Sequence, residues 1–211
     1  MNSLSTFCCA AAIVGFGLLA PGLSYGEAAQ GMQKQRIDIG ANLAFISNEG
    51  PSGSDFDETF RGSGFVVLPM NDNIGFEAGL SQTSSTEDSG SDNTGEYKIE
   101  ISSSDLFAGV RVQSNPLGRF RFYGRGGVLY YHSEIKFEES FYNIKPEGDE
   151  EEVEEGGGFY LGGGGALELN PRLHLTVEVS YLKRREYFED SSQAFDMKEI
   201  GLAVGLIFRA F

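Results

Sequence analysis

Arg36-Ile-Asp-Ile-Gly-Ala-Asn-Leu-Ala-Phe45 divides cleanly by parity. Its odd positions, Ile37, Ile39, Ala41, Leu43 and Phe45, are all apolar, and its even positions, Arg36, Asp38, Gly40, Asn42 and Ala44, are polar or small. Successive side chains of an extended chain point to opposite faces, so a strand here has one oily face and one polar face. A helix of the same residues would scatter both kinds around its circumference.

The division recurs along the chain. Residues 74–82 set Ile74, Phe76, Ala78 and Leu80 against Gly75, Glu77, Gly79 and Ser81, and residues 105–113 set Leu106, Ala108, Val110 and Val112 against Asp105, Gly109 and Arg111. Residues 119–131 place Phe120, Phe122, Gly124, Gly126, Val128 and Tyr130 opposite Arg119, Arg121, Tyr123, Arg125 and Gly127. Three later runs, 159–169, 173–181 and 199–208, repeat the pattern, with Glu168, His174, Glu178 and Glu199 on their polar sides. Residues 59–68 are the least regular, with Phe60, Val66 and Leu68 on one side and Phe65 and Val67 on the other. Counting that segment, the periodicity predicts eight antiparallel strands and an all-β fold.

The links between these strands alternate in length. Short ones, rich in turn residues, fall at 69–73, 114–118 and 170–172, and long polar ones at roughly 47–58, 83–97, 133–156 and 184–196. Short turns at one end and long loops at the other are the pattern of a transmembrane up-and-down barrel. The polar faces carry charge mixed with glycine, which suits a narrow interior better than a solvated surface. We therefore expect the apolar faces to meet lipid and the polar faces to line the lumen. Eight strands enclose an interior just wide enough to be filled by side chains. Charges there must pair, because an unpartnered buried charge costs several kcal/mol. The candidates are Arg36, Arg111, Arg121 and Arg125 against Asp38, Glu77, Asp105, Glu168, Glu178 and Glu199. Closure also satisfies every backbone N–H and C=O within the hydrocarbon.

Ahead of the strands, residues 7–20 form an apolar run, FCCAAAIVGFGLLA, followed by Pro21 and by the small residues Ser24 and Gly26. The run is too short to span a bilayer and reads as an export signal, 1–26, cleaved after Gly26 or after Ala28. Residues 27–35 would then be a short lead-in and 36–211 the barrel. Both cysteines, Cys8 and Cys9, lie in the signal, so the mature chain has no disulfide, thiolate metal site or thiol nucleophile. The 29 glycines, 17 Phe and 9 Tyr favour strands over helices. A formal net charge of −15 argues against nucleic acid and against attachment to an anionic surface through basic residues.

The stretches Ile74-Gly-Phe-Glu-Ala-Gly79, Tyr123-Gly-Arg-Gly-Gly-Val128 and Gly164-Gly-Ala-Leu-Glu-Leu-Asn-Pro171, with Leu175-Thr-Val-Glu-Val179, resemble those of the OmpA/OmpX-type small outer-membrane β-barrels of Gram-negative bacteria. The resemblance runs from about residue 36 to the end. It implies an outer-membrane location among lipid and lipopolysaccharide, and insertion by the barrel-assembly machinery. It also implies that Glu77, Arg111, Arg125, Glu168 and Glu178 form a salt-bridged plug. Two departures stand out. The chain stops at the last strand with no peptidoglycan-binding domain, and Phe211 is out of phase with Phe208, which predicts a bulge near Arg209-Ala210 or a frayed end.

Catalytic residues, cofactors and metal ligands are not expected. His132 and Ser133 are adjacent and so point to opposite faces, and His174 with Thr176 sits beside a short turn, away from the outer leaflet. The acidic run Asp149-Glu-Glu-Glu-Val-Glu-Glu155 reads as a solvated loop tip, or more sharply as a weak divalent-cation trap. Tyr130, Tyr131, Tyr181, Tyr187 and Phe188 are candidates for an outer aromatic girdle. The function that follows is a non-enzymatic barrel in envelope integrity or surface interaction, its surface ligand unknown. A small porin-like channel is the alternative, and an outer-leaflet lipid-modifying enzyme comes third.

Overall fold

The computed structural model describes residues 36–49, 55–91, 95–141, 144–187 and 195–210. They form eight strands: β1 (Ile37–Glu49), β2 (Asp55–Pro69), β3 (Ile74–Ser91), β4 (Gly95–Gln113), β5 (Phe120–Phe141), β6 (Ile144–Asn170), β7 (Leu173–Tyr187) and β8 (Phe195–Ala210). Each pairs antiparallel with the next, and β8 pairs back with β1, so the sheet is a closed barrel. The signal and lead-in expected at residues 1–35, together with Phe188 and Phe211, lie outside the described residues.

The phase of the strands follows the apolar pattern. On β8, Ile200, Leu202, Val204, Leu206 and Phe208 all face outward, with Ile200 60% exposed, while Glu199, Gly201, Ala203, Gly205 and Ile207 face inward and are buried. The outward run of nine residues matches the roughly 9–11 that a tilted strand needs to cross hydrocarbon. Phe45, Phe60, Leu80, Leu106, Tyr130 and Leu161 continue the apolar face around the wall, each exposed. The irregular segment 59–68 obeys the same rule: Phe60, Val66 and Leu68 are exposed, and Phe65 and Val67 are buried.

The short links are turns held by side chains. Asn71 Oδ1 accepts from the backbone N–H groups of Asn73 and Ile74 at 2.9 and 2.8 Å, and Asn170 Oδ1 accepts from Arg172 N–H at 2.9 Å. Gly118, at φ 67°, takes the left-handed conformation that closes the β4–β5 link.

Three expectations are corrected. Most of the residues read as long polar loops are strand: β3 and β4 run to Ser91 and from Gly95, and β5 and β6 run to Phe141 and from Ile144. The acidic run 149–155 is therefore part of β6, paired with residues 132–138 of β5, and not a loop tip. Above the apolar belt neither face meets lipid, so the alternation of apolar and polar residues that marks a strand disappears while the hydrogen-bonded ladder continues. Pairing of β6 with β7 begins only at Gly158, so residues 144–157 pair with β5 alone and leave one edge open. The β5–β6 hairpin thus rises about ten residues, or about 33 Å, beyond Tyr131 and Gly156.

The second correction concerns the bulge expected at the chain end; the alternative, a frayed end at Phe211, lies outside the described residues. β8 pairs with β1 in unbroken register from Ala210 with Ile37 to Lys198 with Glu49, so no bulge interrupts Arg209-Ala210. The third concerns Tyr131, which is fully buried inside the barrel with its hydroxyl donating to Arg185 O at 2.6 Å. It cannot belong to an outer girdle. Tyr130 and Tyr181 do face outward, and Phe159 packs on Tyr181 with ring centroids 5.9 Å apart.

Candidate functional site

The lumen holds nearly all the buried charge, arranged in levels along the barrel axis. Near the middle, Glu77 of β3 is completely buried between two guanidinium groups. Arg125 Nη1 donates to Glu77 Oε1 at 2.7 Å, and Arg111 Nη1 donates to Glu77 Oε2 at 3.3 Å. Arg125 also reaches β7, where Nε and Nη2 both donate to Glu178 Oε1, at 3.0 and 2.7 Å. Two arginines and two carboxylates balance. Bonds of this kind, with both partners ionised and out of water, are among the stronger ones in proteins.

Aromatic rings close around this group. Arg111 lies 3.7 Å from the Tyr123 ring centroid, and Arg125 lies 5.4 Å from that of Tyr160 and 5.7 Å from those of Phe65 and Phe107. Facing glycines make the room. A Cβ on Gly109 would stand 2.2 Å from Gly126 O and 2.6 Å from the Tyr160 hydroxyl, and one on Gly127 would stand 2.1 Å from Ala108 O. Gly109 and Gly127 are paired across β4 and β5, so only residues without a side chain let these strands approach and leave Arg125 and Tyr160 their space.

A second balanced group lies toward the strand extensions. Arg184 of β7, 1% exposed, grips Asp105 with both Nε and Nη2, at 2.8 and 2.9 Å. Its Nη1 donates to Glu199 Oε2 at 3.2 Å, and Arg61 of β2 pairs with the other oxygen of Glu199. Ser81 donates to Asp105 Oδ2 at 2.8 Å, and Arg61 Nη2 donates to Ser180 Oγ at 2.9 Å. Over this level Ile101, Tyr131, Ile135 and Met197 bury apolar surface inside the tube.

Of the ten lumen residues expected from the sequence, Glu77, Arg111, Arg125 and Glu178 meet in the first group, and Asp105 and Glu199 in the second. Arg36 and Asp38 hydrogen-bond each other at the turn end, at 2.7 and 3.0 Å. Arg121 and Glu168 are half-buried and join neither group. Arg61 and Arg184 are the residues that reading missed. Strand phase could have found both: Arg61 shares parity with Phe65 and Val67, and Arg184 shares it with Glu178 and Ser180.

Outside the barrel, His132 Nδ1 lies 2.9 Å from Glu155 Oε1, and the Tyr130 hydroxyl donates to Glu155 Oε2 at 2.5 Å. Those contacts hold the exposed Glu155 carboxyl below its usual value, the Tyr130 hydrogen bond first. Ser133 faces inward, away from this imidazole. Among the described residues no three His, Cys, Asp or Glu side chains converge as a metal site.

Comparison with known proteins agrees with this architecture. The family model described as outer membrane protein beta-barrel domain matches residues 16–208. Among solved structures, Ail, the attachment invasion locus protein of Yersinia pestis, is similar at a TM-score of 0.53 and 15% identity, over 83% of this chain and 99% of that one. The same protein in complex with the heparin analogue sucrose octasulfate gives 0.52 and 15% over 83% and 99%. A major outer membrane protein from Thermus thermophilus gives 0.52 and 14%, over 84% of this chain and all of that one, 100%. At such identities the likeness is one of fold. No curated protein matches the sequence.

Proposed function

Because the chain belongs to the outer membrane protein β-barrel domain family and resides in the outer membrane, we propose that it is a sealed, non-enzymatic barrel that carries an acidic sheet outside the cell. Its work is then envelope integrity or surface interaction. The turns face the periplasm and the β3–β6 extensions face out, the usual orientation of short and long connections. Residues 1–26 are removed on export, 27–35 lead in, and the remaining chain is inserted by the barrel-assembly machinery.

The observation that carries this reading is the double ion-paired level across the lumen. The two inner spaces measure about 20 and 30 Å3, against roughly 10–15 Å3 for one water molecule. Among the described residues, the two ion-paired levels border these spaces and interrupt the axis of the barrel. Glu77, Arg111, Arg125, Glu178, Asp105 and Glu199, together with Arg61 and Arg184, act as a structural plug and not as a reaction centre. A non-catalytic role also fits Ser133, which faces inward against Ser103 Oγ at 2.7 Å while His132 faces out.

Outer-leaflet lipid and lipopolysaccharide are the immediate partners. An outward hollow of about 560 Å3 over Gly62 and Gly64, flanked by Leu80, Leu106, Tyr130 and His132, offers room for an acyl chain. Above it, exposed Glu96, Glu134, Glu138, Glu152 and Glu155 make the projecting sheet acidic. A polyanion such as the heparin analogue bound by Ail would be repelled there, and a cationic surface attracted.

Conductance across planar bilayers tests the proposal. Purified refolded protein should insert without current steps, and steady nanosiemens steps would establish the channel reading instead.

A further inference from the structure

The lumen is balanced at its two inner levels but not at its turn end. There Arg36, Arg121 and Arg209 face Asp38 and Glu168, leaving one cation in excess. On the rim Arg119 and Arg172 outnumber Asp72, all three exposed. This happens in a chain whose formal net charge is −15, so the local sign is opposite to that of the whole molecule. A cavity of about 30 Å3 opens among these groups, lined by Arg36, Asp38, Arg121, His174 and Arg209 together with the underside of Arg111.

The donors around this cavity are incompletely used. Arg36 and Asp38 satisfy each other and Arg111 is engaged by Glu77. Arg121 has no carboxylate within 4 Å among the described residues. Arg209 Nε is buried without a hydrogen-bond partner, its nearest carboxylate oxygen, Asp38 Oδ1, standing 3.6 Å away. His174, only 5% exposed, likewise leaves Nε2 buried and unpartnered. Buried polar nitrogens in native proteins are nearly always hydrogen-bonded, and each exception calls for a ligand or a water. Here two such nitrogens and a spare guanidinium surround one space. Charge, geometry and unmet donors all ask for an acceptor carrying negative charge.

We propose that this turn-end chamber is a binding site for a small oxyanion of the phosphate class, gripped by the guanidinium groups of Arg121 and Arg209 and by an N–H of His174. Guanidinium forks match the edge of a tetrahedral oxyanion, and a neutral imidazole supplies one further donor. The site is independent of whether the barrel above it conducts. Because the Glu77 level separates it from the extensions, the anion enters and leaves by the turn end only.

Calorimetric titration of the detergent-solubilised full barrel with inorganic phosphate, at constant ionic strength, reads the site. One saturable phase in the millimolar range is expected. Arg121→Gln and His174→Gln should each weaken it about tenfold, about 1.4 kcal/mol, and Arg121→Lys should restore part of the loss. Glu155→Gln, far outside the lumen, should leave it unchanged. Folding of every variant is checked by its gel mobility before and after boiling. If Arg121→Gln fails that check, the 15N shifts of the His174 ring on adding phosphate to the wild-type barrel give the answer. Absence of saturable binding, binding indifferent to the Arg121 and His174 substitutions, or an unmoved His174 resonance would overturn the proposal.

Discussion

Glu77 and Glu152 are the same side chain on neighbouring parts of one β-barrel, and they live under opposite rules. Glu77 is wholly buried, held by two arginines and packed among aromatic rings. Glu152 is exposed, on the part of β6 that pairs with β5 alone. In the lumen a carboxylate is tolerated only because guanidinium groups take the place of water. On the projecting sheet water itself solvates the charge, and crowding of like charges is the only cost. Charge in the lumen thus serves cohesion, and charge on the extension faces water. An unpaired strand edge invites further strands, and charged side chains are a common defence. Among the described strands the acid-rich stretch sits on the longest unpaired edge, residues 144–157 of β6; a shorter one follows Thr83 on β3.

Substitutions can widen or erase that contrast. Glu77→Ala should have the largest effect, since it leaves Arg111 without a carboxylate and Arg125 with Glu178 alone. A loss of about 3–5 kcal/mol is expected in urea unfolding from lipid vesicles. Arg184→Met should come next, at about 3 kcal/mol, because Arg61 still neutralises Glu199 and only Asp105 is left wholly unpaired. Gly127→Val tests the space and not the charge. With its Cβ about to meet Ala108 O, it should cost about 1–3 kcal/mol by the same measurement.

On the sheet, Glu152→Gln with Glu154→Gln should change stability by no more than about 0.5 kcal/mol. Its consequence should be self-association, seen by light scattering in detergent. A monomer as clean as the wild type would remove the edge-protection argument. The smallest effect is expected from acid. Glu155 is held below its ordinary carboxylate value of 4.5 by Tyr130 and His132. Its contribution is therefore full above that value and is lost as pH falls through the lower folded value. The Glu155 carboxyl 13C shift should titrate at lower pH in the wild type than in Tyr130→Phe, and the two curves would coincide if the contact with Tyr130 were absent.

The same contrast explains what could be read in the amino-acid sequence. Where one face meets hydrocarbon, hydropathy alternates residue by residue, and β1, β7 and β8 are legible almost side chain by side chain. The extensions of β3 to β6 lack that contrast, so Ser, Thr, Glu and Gly there look like loop although the ladder continues. Glu77, Arg125 and Glu178 could be assigned inward from phase alone. Which of them meet depends on register between strands, as in the pairing of Arg111 with Arg125 across β4 and β5, and one chain does not display that. Arg61 and Arg184 escaped for related reasons: one lies in the least regular strand and the other just past the end of the apolar pattern. Tyr131 was misassigned because an aromatic beside Tyr130 looks equally suited to either side of the wall.

The two inner levels have one more consequence, and it is electrical. Each contains two positive and two negative groups and so sums to zero. A membrane potential acts on net charge, at about 2.3 kcal/mol for each elementary charge moved through 100 mV. A Donnan potential between periplasm and medium therefore exerts no net force on either level moving as a rigid unit, and could drive only a displacement of its charges relative to one another.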